Sequence, residues 1–225
     1  MRINKLLSNY GYCSRKEAAR LIEENRVMVN GNLCIPGQWV EEDDNILLDG
    51  EPVAPKEKIY LALNKRLGIT CTAEKTVQGN IIDFLGLGEY VFPVGRLDKE
   101  SMGLILLTND GELAGRILEA DNRHEKEYVV TVDGEFGGSF LESMSAGVDI
   151  PAGRTRACEV SKVSSDTFRI VLTQGMNRQI RRMCRAFGYT VTRLQRVRIM
   201  TIRLDGLAEG EWRHLSEEEI EGLRS

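Results

Sequence analysis

An α+β fold is predicted by three features of this 225-residue sequence. Short apolar runs of strand length are separated by segments with helical periodicity, without the strict alternation that marks a parallel sheet. One continuous run, residues 104–107 (Leu-Ile-Leu-Leu), is bounded by turn residues, which is typical of a strand buried on both faces. Helical spacing dominates the N-terminal segment. We therefore expect a small helical and hairpin domain, followed by a mixed and mainly antiparallel sheet domain.

The N-terminal part predicts two helices and a hairpin. Apolar residues at helical spacing in residues 3–7 indicate a first helix, which Gly11 can end in a left-handed conformation. Ser14 and Glu17 form a capping box, which predicts the start of a second helix. Residues 27–31 (Val-Met-Val-Asn-Gly) indicate a strand that enters a type I′ turn, and a similar strand-and-turn pattern follows later.

A short charged segment separates this part from the rest of the chain. Residues 51–58 include Pro52 and Pro55, and such a composition is typical of a semi-rigid linker. We therefore expect a small domain over residues 1–50 and a larger domain over residues 59–225.

The larger part contains strand and helix patterns in mixed order. Strands are expected at residues 59–64, 104–107, 128–132, 167–173, 189–194 and 199–204. Helices are expected at residues 77–85, 112–118, 140–144 and 177–187. Gly79 weakens the first of these helices, and Gly188 can end the last.

The composition is that of an ordinary globular protein, with 42% hydrophobic and 28% charged residues. No run approaches the roughly 18 apolar residues that a membrane span needs, and the first residues lack the apolar core of an export signal. A cytoplasmic location is therefore expected. The five cysteines include no Cys-x-x-Cys pair, and His124 and His214 fit no zinc pattern. We expect free thiols and no metal ion.

The net charge of −4 conceals two basic clusters. The first cluster contains Arg2, Lys5, Arg15, Lys16, Arg20 and Arg26. The second cluster contains Arg178, Arg181, Arg182, Arg185, Arg193, Arg196, Arg198 and Arg203. Acidic residues are concentrated elsewhere, at 41–44 and 217–219. This separation favours a positive surface for nucleic acid, whereas charges spread around solvated faces are the alternative.

The most informative stretch is residues 95–111. Arg96 and Asp98 lie between Gly95 and Gly103, directly before the predicted buried strand. A carboxylate at this place lies at the rim of a core, where loops carry chemistry. The residues alone also fit an aspartate that only caps a turn, because Asp is a common turn residue.

Four segments in order resemble the pseudouridine synthases, in the branch that modifies ribosomal RNA. The first surrounds Asp98, and the second, residues 124–128 (His-Glu-Lys-Glu-Tyr), resembles the Lys-Glu-Tyr element of that family. Residues 174–183 resemble its Asn-Arg-Gln-Ile-Arg-Arg helix, and residues 196–200 (Arg-Val-Arg-Ile-Met) fit as well. The resemblance covers nearly the whole chain.

This resemblance implies an enzyme that isomerises a uridine in RNA to pseudouridine. The reaction needs no redox change and no group donor, so no cofactor is expected. Asp98 is implied as the catalytic carboxylate, acting either as a nucleophile or on a sugar proton. Arg181 resembles the arginine that pairs with this aspartate, and Tyr128 matches the tyrosine near the target base. A solvated arginine and a core tyrosine are the alternatives for these two residues.

RNA contacts are implied as well. The N-terminal part resembles the S4 RNA-binding domain, which reads RNA mostly by shape and phosphate, although a helical cap without a ligand is the alternative. Arg96 can fill the space left by an extruded base or hold a phosphate. The residues expected to bind RNA are Arg96, Arg178, Arg182, Arg2, Lys5, Arg15, Lys16 and Arg20.

The RNA target is less closely defined. Residues 174–183 and 210–215 most resemble members that act on the large ribosomal subunit, which implies a uridine in 23S ribosomal RNA. A transfer RNA substrate stays open, as does a non-catalytic ribosome-assembly factor that keeps the fold. Nothing resembles a zipper or a dedicated interface, so we expect a monomer.

One segment departs from the family. The strand that ends in Asn64 and Lys65 is usually followed by proline, whereas this chain has Arg66. The shape of this loop is therefore left open, while the aspartate segment is intact.

Overall fold

The computed structural model describes residues 1–41, 43–74, 76–119 and 122–224, and it confirms the α+β class. The helices are α1 (Ile3–Asn9), α2 (Arg15–Glu23), α3 (Ile81–Leu85), α4 (Gly111–Leu118), α5 (Gly138–Ser145), α6 (Gln179–Ala186) and α7 (Glu217–Arg224). The strands are β1 (Val27–Val29), β2 (Asn32–Leu33), β3 (Ile46–Leu48), β4 (Glu51–Pro52), β5 (Tyr60–Lys65), β6 (Phe92–Pro93), β7 (Met102–Thr108), β8 (Lys126–Val132), β9 (Asp149–Ile150), β10 (Gly153–Arg154), β11 (Glu159–Lys162), β12 (Thr167–Leu172), β13 (Val191–Ile199), β14 (Ile202–Arg203) and β15 (Trp212–His214).

The N-terminal part packs two helices on a four-stranded sheet with the order β2-β1-β3-β4. The Ser14 half of the predicted capping box starts α2, because the Ser14 hydroxyl accepts a hydrogen bond of 3.1 Å from the backbone N–H of Glu17, whereas the Glu17 carboxylate accepts from Arg20. Asn30 and Gly31 both have positive φ, as the predicted type I′ turn requires. Local sequence signals therefore decided the ends of these elements.

Residues 51–58 are bonded to both parts of the chain. Glu51–Pro52 pairs with β3 and so extends the small sheet. The Lys58 ammonium donates to the carbonyl of Asn9 at 2.6 Å, and the side chain of Asn109 donates to the carbonyl of Glu57 at 2.8 Å. These bonds restrict how the small sheet can move relative to the turn that follows β7.

A large sheet with the order β11-β12-β8-β13-β7-β5-β15 forms the second part. Its strands are antiparallel along this order except for β13 and β7, which run parallel. Every residue of β7 is buried, as the apolar run predicted. Apolar clusters on both sides of the sheet explain this burial.

Gly103 allows the parallel pair to form. It lies opposite Arg196 in the register of β7 and β13, and its φ is +100°. A Cβ at this position would lie 2.2 Å from the carbonyl oxygen of Arg196, far inside van der Waals contact. The glycine therefore lets the strand that follows Asp98 lie directly against β13.

Two of the predicted helices start later than expected. The predicted helix at 77–85 was wrong in its first four residues, because the Asn80 side chain accepts hydrogen bonds from the amides of Ile82 and Asp83 and caps α3. The predicted helix at 177–187 begins at Gln179, because Arg178 has a left-handed conformation with φ of 51°.

The strands predicted at 189–194 and 199–204 were wrong in their bounds, although each range contains residues of a strand. The structure has one long strand, Val191–Ile199, and the short β14 after a tight turn. The register of β13 against β8 shifts between Val191 and Arg193 and again between Arg196 and Arg198. Such bulges interrupt the alternation of apolar residues, so the continuous strand could not be read from periodicity.

Candidate active site

A cavity of about 670 Å³ lies between the loop before β7, strand β8 and the start of α6. Five of the residues selected from the sequence line it: Asp98, Tyr128, Arg181, Arg96 and Arg178. The three residues expected to be catalytic are distant in sequence and are brought together here. Arg182 and the N-terminal basic residues do not line this cavity.

Asp98 is held in a short turn before β7. The backbone N–H of Ser101 donates to the Asp98 carbonyl at 3.0 Å, and Ser101 is buried. On the other side, the backbone N–H of the buried Leu97 donates to the sulfur of Cys71 at 3.4 Å. Leu97 and Ser101, on either side of Asp98, are thus held by hydrogen bonds. The half-buried carboxylate of Asp98 lines the cavity.

Strand alternation places Tyr128. Lys126 and Tyr128 both line the cavity, whereas Glu127 points to the opposite face of β8. There its carboxylate accepts from Arg169 at 2.7 Å and from Arg198 at 2.8 Å. The half-buried tyrosine also packs against two apolar clusters of the sheet, so it combines a core contact with access to the cavity.

Arg181 holds the loop before β7 that carries Asp98, called the aspartate loop, through a hydrogen bond to a backbone carbonyl of that loop. Its guanidinium donates to the Glu100 carbonyl at 2.7 Å and to the Val191 carbonyl at 3.1 Å. Among the ion pairs of the described residues, none joins Arg181 to Asp98. Burial lowers the pKa of Arg181, repulsion from Arg178 acts in the same direction, and the nearby Glu100 and Asp98 carboxylates oppose both. The buried Nε of Arg181 has no hydrogen-bond partner in the protein, so this N–H can donate to a ligand.

Arg178 has a strained backbone beside the cavity. A positive φ in a non-glycine residue costs on the order of 1 kcal/mol, and Arg178 has φ of 51° at the start of α6. Its guanidinium forms an ion pair of 2.5 Å with Glu100, which lowers the pKa of that carboxyl. Glu100 therefore links two arginines of this segment to the aspartate loop, one by its side chain and one by its carbonyl.

Three further cations belong to this region: Arg196, which the sequence analysis placed in the second basic cluster, and Lys65 and Lys126, to which it assigned no role. Lys65 is fully buried, and its ammonium donates to the carbonyls of Arg66 and Ile69 at 2.9 and 3.0 Å. Arg196 is 3% exposed and lines the cavity together with Lys126. The quoted family segments contain Arg196 and Lys126, but only the sheet register shows that they face Asp98 across one cavity.

The N-terminal basic residues are exposed at the surface. The side chain of Lys16 is 92% exposed and lies 3.9 Å from the carboxylate of Glu74, two residues after Thr72 of the cavity lining. Arg20 instead pairs with Glu17 at 2.7 Å, which offsets part of its charge. Basic helix α2 thus lies beside the cavity wall. Its cations differ in how closely they are paired with carboxylates of the protein.

Other kinds of site find no support in the described part of the chain. No group of three His, Cys, Asp or Glu residues there is placed to hold a metal ion. None of the five described cysteines forms a disulfide bond. Within the same residues, no helix has the length and apolar character that crossing a bilayer would require.

Comparison with known proteins agrees with this geometry. Residues 59–186 match the family model described as RNA pseudouridylate synthase, and residues 1–46 match the S4 domain. The chain belongs to the RNA pseudouridylate synthase family. The family match confirms the enzyme class that the four sequence segments implied, and the S4 match confirms the resemblance of the N-terminal part.

The synthase has relatives that match almost all of its length. It is 48% identical over 223 residues to the dual-specificity RNA pseudouridine synthase RluF of Escherichia coli (strain K12), covering 98% of this chain and 77% of the relative. An uncharacterized RNA pseudouridine synthase of Aquifex aeolicus is 36% identical over 232 residues, covering 100% and 96%. The predicted resemblance of residues 174–183 and 210–215 to a large-subunit member agrees with the RluF match.

A solved structure supports the fold. It is described as a crystal structure of pseudouridylate synthase and is 27% identical, with a TM-score of 0.72 and coverage of 99% of both chains. The arrangement of S4 domain and sheet domain in the synthase therefore has a solved counterpart over its full length.

The bonds of Arg181 lead to a first prediction. In Arg181→Lys, one ammonium cannot span the carbonyls of Glu100 and Val191, so we expect a loss of about 1–3 kcal/mol of stability and a lower kcat. Urea unfolding and single-turnover kinetics measure the two effects. Arg185→Lys is the control, because Arg185 is exposed on the same helix. Equal effects of both substitutions would contradict a specific role for Arg181.

Proposed function

We propose that the synthase converts a specific uridine of 23S ribosomal RNA to pseudouridine, with Asp98 as the catalytic carboxylate. The observation that carries this proposal is the charge of the cavity. Among its described lining residues, Asp98 faces several cations, and the other carboxylate, Glu119, is exposed. A single half-buried carboxylate in a positive cavity suits chemistry at the anomeric carbon of a ribose.

The roles of the other residues follow from the reaction. The uridine leaves its stack to enter the cavity, where the Tyr128 ring lies against the base. Arg96 occupies the space that the extruded base leaves, or holds a neighbouring phosphate. Arg181 keeps the aspartate loop in place, and Arg178 and Arg182 bind phosphate near the entrance. Asp98 acts as a nucleophile at C1′ or removes a sugar proton, and both routes require its ionised form.

We propose that the two domains divide the work. Residues 1–50 hold RNA through Arg2, Lys5, Arg15, Lys16 and Arg20, residues 51–58 link the domains, and residues 59–225 carry out the chemistry. The contact between Lys16 and Glu74 supports this division, because it sets the basic helix α2 beside the cavity. One RNA can then contact both domains. We further propose that the synthase acts as a monomer in the cytoplasm.

A second substrate is favoured by one observation. The RluF relatives of Escherichia coli and Salmonella typhi are named dual-specificity enzymes. We propose a transfer RNA as the second substrate of this synthase. The alternative function, a non-catalytic assembly factor that binds RNA, does not require the carboxylate of Asp98.

The decisive experiment is to map pseudouridine in RNA from cells with and without the gene, using carbodiimide-dependent primer-extension stops. We expect one stop in 23S ribosomal RNA to disappear and to return with the wild-type gene. An unchanged 23S map together with a lost site in transfer RNA would reverse the order of the two substrates. If no RNA loses a site, the assembly-factor function is the better account.

Salt dependence tests the proposed RNA surface. Each phosphate contact contributes about −0.7 to the slope of log affinity against log salt for single-stranded RNA, so Lys16→Ala should make the slope shallower by about that amount. Filter binding between low and high salt measures it. Arg26→Ala is the matched control, because Arg26 is already paired with Asp49 at 2.6 Å. A wild-type affinity for RNA that does not change with salt concentration would contradict RNA binding through the basic surface.

A further inference from the structure

Lys126 is a cation of the cavity wall that the proposed mechanism does not use. It lies on β8 two residues before Tyr128, so both side chains project from the same face of the strand. Lys126 is half-buried and lines the cavity together with Asp98. A substrate base that contacts Tyr128 therefore lies within the same enclosure as this ammonium group.

The Lys126 ammonium keeps hydrogen-bonding capacity for a ligand. It donates to the carbonyl of His124 at 3.2 Å, and an ammonium carries three donors. No carboxylate of the described residues forms an ion pair with it. Burial lowers the pKa of Lys126, and the nearby Arg196 lowers it further. Arg196 lines the same cavity and is itself buried, and its Nη2 has no hydrogen-bond partner, so positive charge accumulates at this part of the lining.

The isomerisation creates a negative charge on the uracil, which the positive charges of Lys126 and Arg196 would attract. When the bond between C1′ and N1 breaks, its electron pair stays with the uracil, and the charge spreads over O2 and O4. The base then turns, C5 bonds to C1′, the C5 proton is lost, and N1 takes up a proton. Between these steps the uracil has no covalent bond to the RNA. A group that holds it must recognise anionic oxygen atoms without blocking the turn.

We propose that Lys126 holds the detached uracil through hydrogen bonds to its carbonyl oxygens until C5 reaches C1′. The inference rests on the proposed function of the cavity. A flexible ammonium suits this task, since it acts as a point charge with rotatable donors and can follow an oxygen as the base turns. Arg196 adds to the positive field at the same part of the cavity, and a hydrogen bond of 2.7 Å to the Leu104 carbonyl holds its buried guanidinium in place.

The test measures two products of the same reaction. The synthase is mixed with 23S ribosomal RNA transcribed from UTP that is radiolabelled in the uracil ring, and pseudouridine and free uracil are separated by chromatography. For Lys126→Met we expect kcat to fall about 100-fold with little change in KM, and free uracil to form at the expense of pseudouridine. Lys126→Arg keeps the charge and should suppress the release of free uracil.

Lys99→Met is the matched control, because it removes an equal charge from an exposed residue of the same cavity. It should release no more free uracil than the wild type. Folded Lys126→Met protein with wild-type kcat, or with a lower kcat but no free uracil, would overturn the inference. If Lys126→Met does not fold, Lys126→Gln is judged by the same two products. Wild-type protein that forms no pseudouridine in any RNA would refute the proposed function itself, which separates the two failures.

Discussion

Replacing Asp98 by asparagine is expected to lower pseudouridine formation by about 10³–10⁴-fold while the affinity for RNA stays near the wild-type value. Asparagine has nearly the same shape, but it can neither attack C1′ nor accept a sugar proton. The turn that holds residue 98 depends on backbone bonds, from Ser101 to Asp98 and from Leu97 to Cys71, and these remain in the variant. Single-turnover assays and filter binding on the same preparation measure the two quantities.

Glu100→Gln provides the comparison for this variant. Glu100 lies in the same loop, but its side chain is 60% exposed and bonds to Arg178 at the surface. We expect this variant to retain most of the rate, because the Glu100 carbonyl that Arg181 contacts is unchanged. Asp98→Asn protein that still forms pseudouridine at a rate close to the wild type would disprove the assignment of the carboxylate. Restored growth or assembly with Asp98→Asn would instead favour a function in RNA binding.

Gly103→Ala is expected to lower the free energy of unfolding by about 3 kcal/mol or more. Two costs combine at this position: a φ of +100°, which L-residues rarely adopt, and a Cβ placed 2.2 Å from the carbonyl oxygen of Arg196. Relief of the clash requires β7 and β13 to separate, and these strands form the centre of the large sheet. Urea unfolding followed by circular dichroism gives the change.

The control for Gly103→Ala is the same substitution at Gly115. Gly115 lies inside α4, and a Cβ there meets no atom within 4 Å. Alanine should stabilise this helix by about 0.5–1 kcal/mol. Opposite signs for the two substitutions are therefore expected. A Gly103→Ala protein as stable as the wild type would show that the close approach of the strands is not required.

The elements that were predicted correctly share strong local signals. The N-cap at Ser14, the type I′ turn at Asn30 and the buried run in β7 depend on neighbouring residues only, and the structure contains all three. The errors have two causes, the local cap at Asn80 that delays α3 and backbone features that depend on tertiary pairing. The bulges of β13 depend on its pairing with β8, and the late start of α6 depends on the left-handed Arg178.

The family, the S4 domain and the choice of Asp98, Tyr128 and Arg181 came from the sequence, because each lies in a short segment whose residue types are distinctive. The functions of these three residues stay predictions that the substitutions above can test. Periodicity and composition could not show which partners the side chains have. Only the folded chain shows that Arg181 bonds the backbone carbonyls of Glu100 and Val191 rather than the Asp98 carboxylate.

The sequence by itself determined the fold class and the enzyme class, and it selected the segments that we propose to carry the chemistry. The tertiary structure decided which cations face the aspartate, since Lys126 and Arg196 are 70 residues apart in the chain and meet only through the register of β8 and β13. The physical reason is the separation along the chain of the residues that interact. Caps, turns and apolar runs are interactions between near neighbours, whereas the field in a cavity is a sum over charges that the sheet brings together.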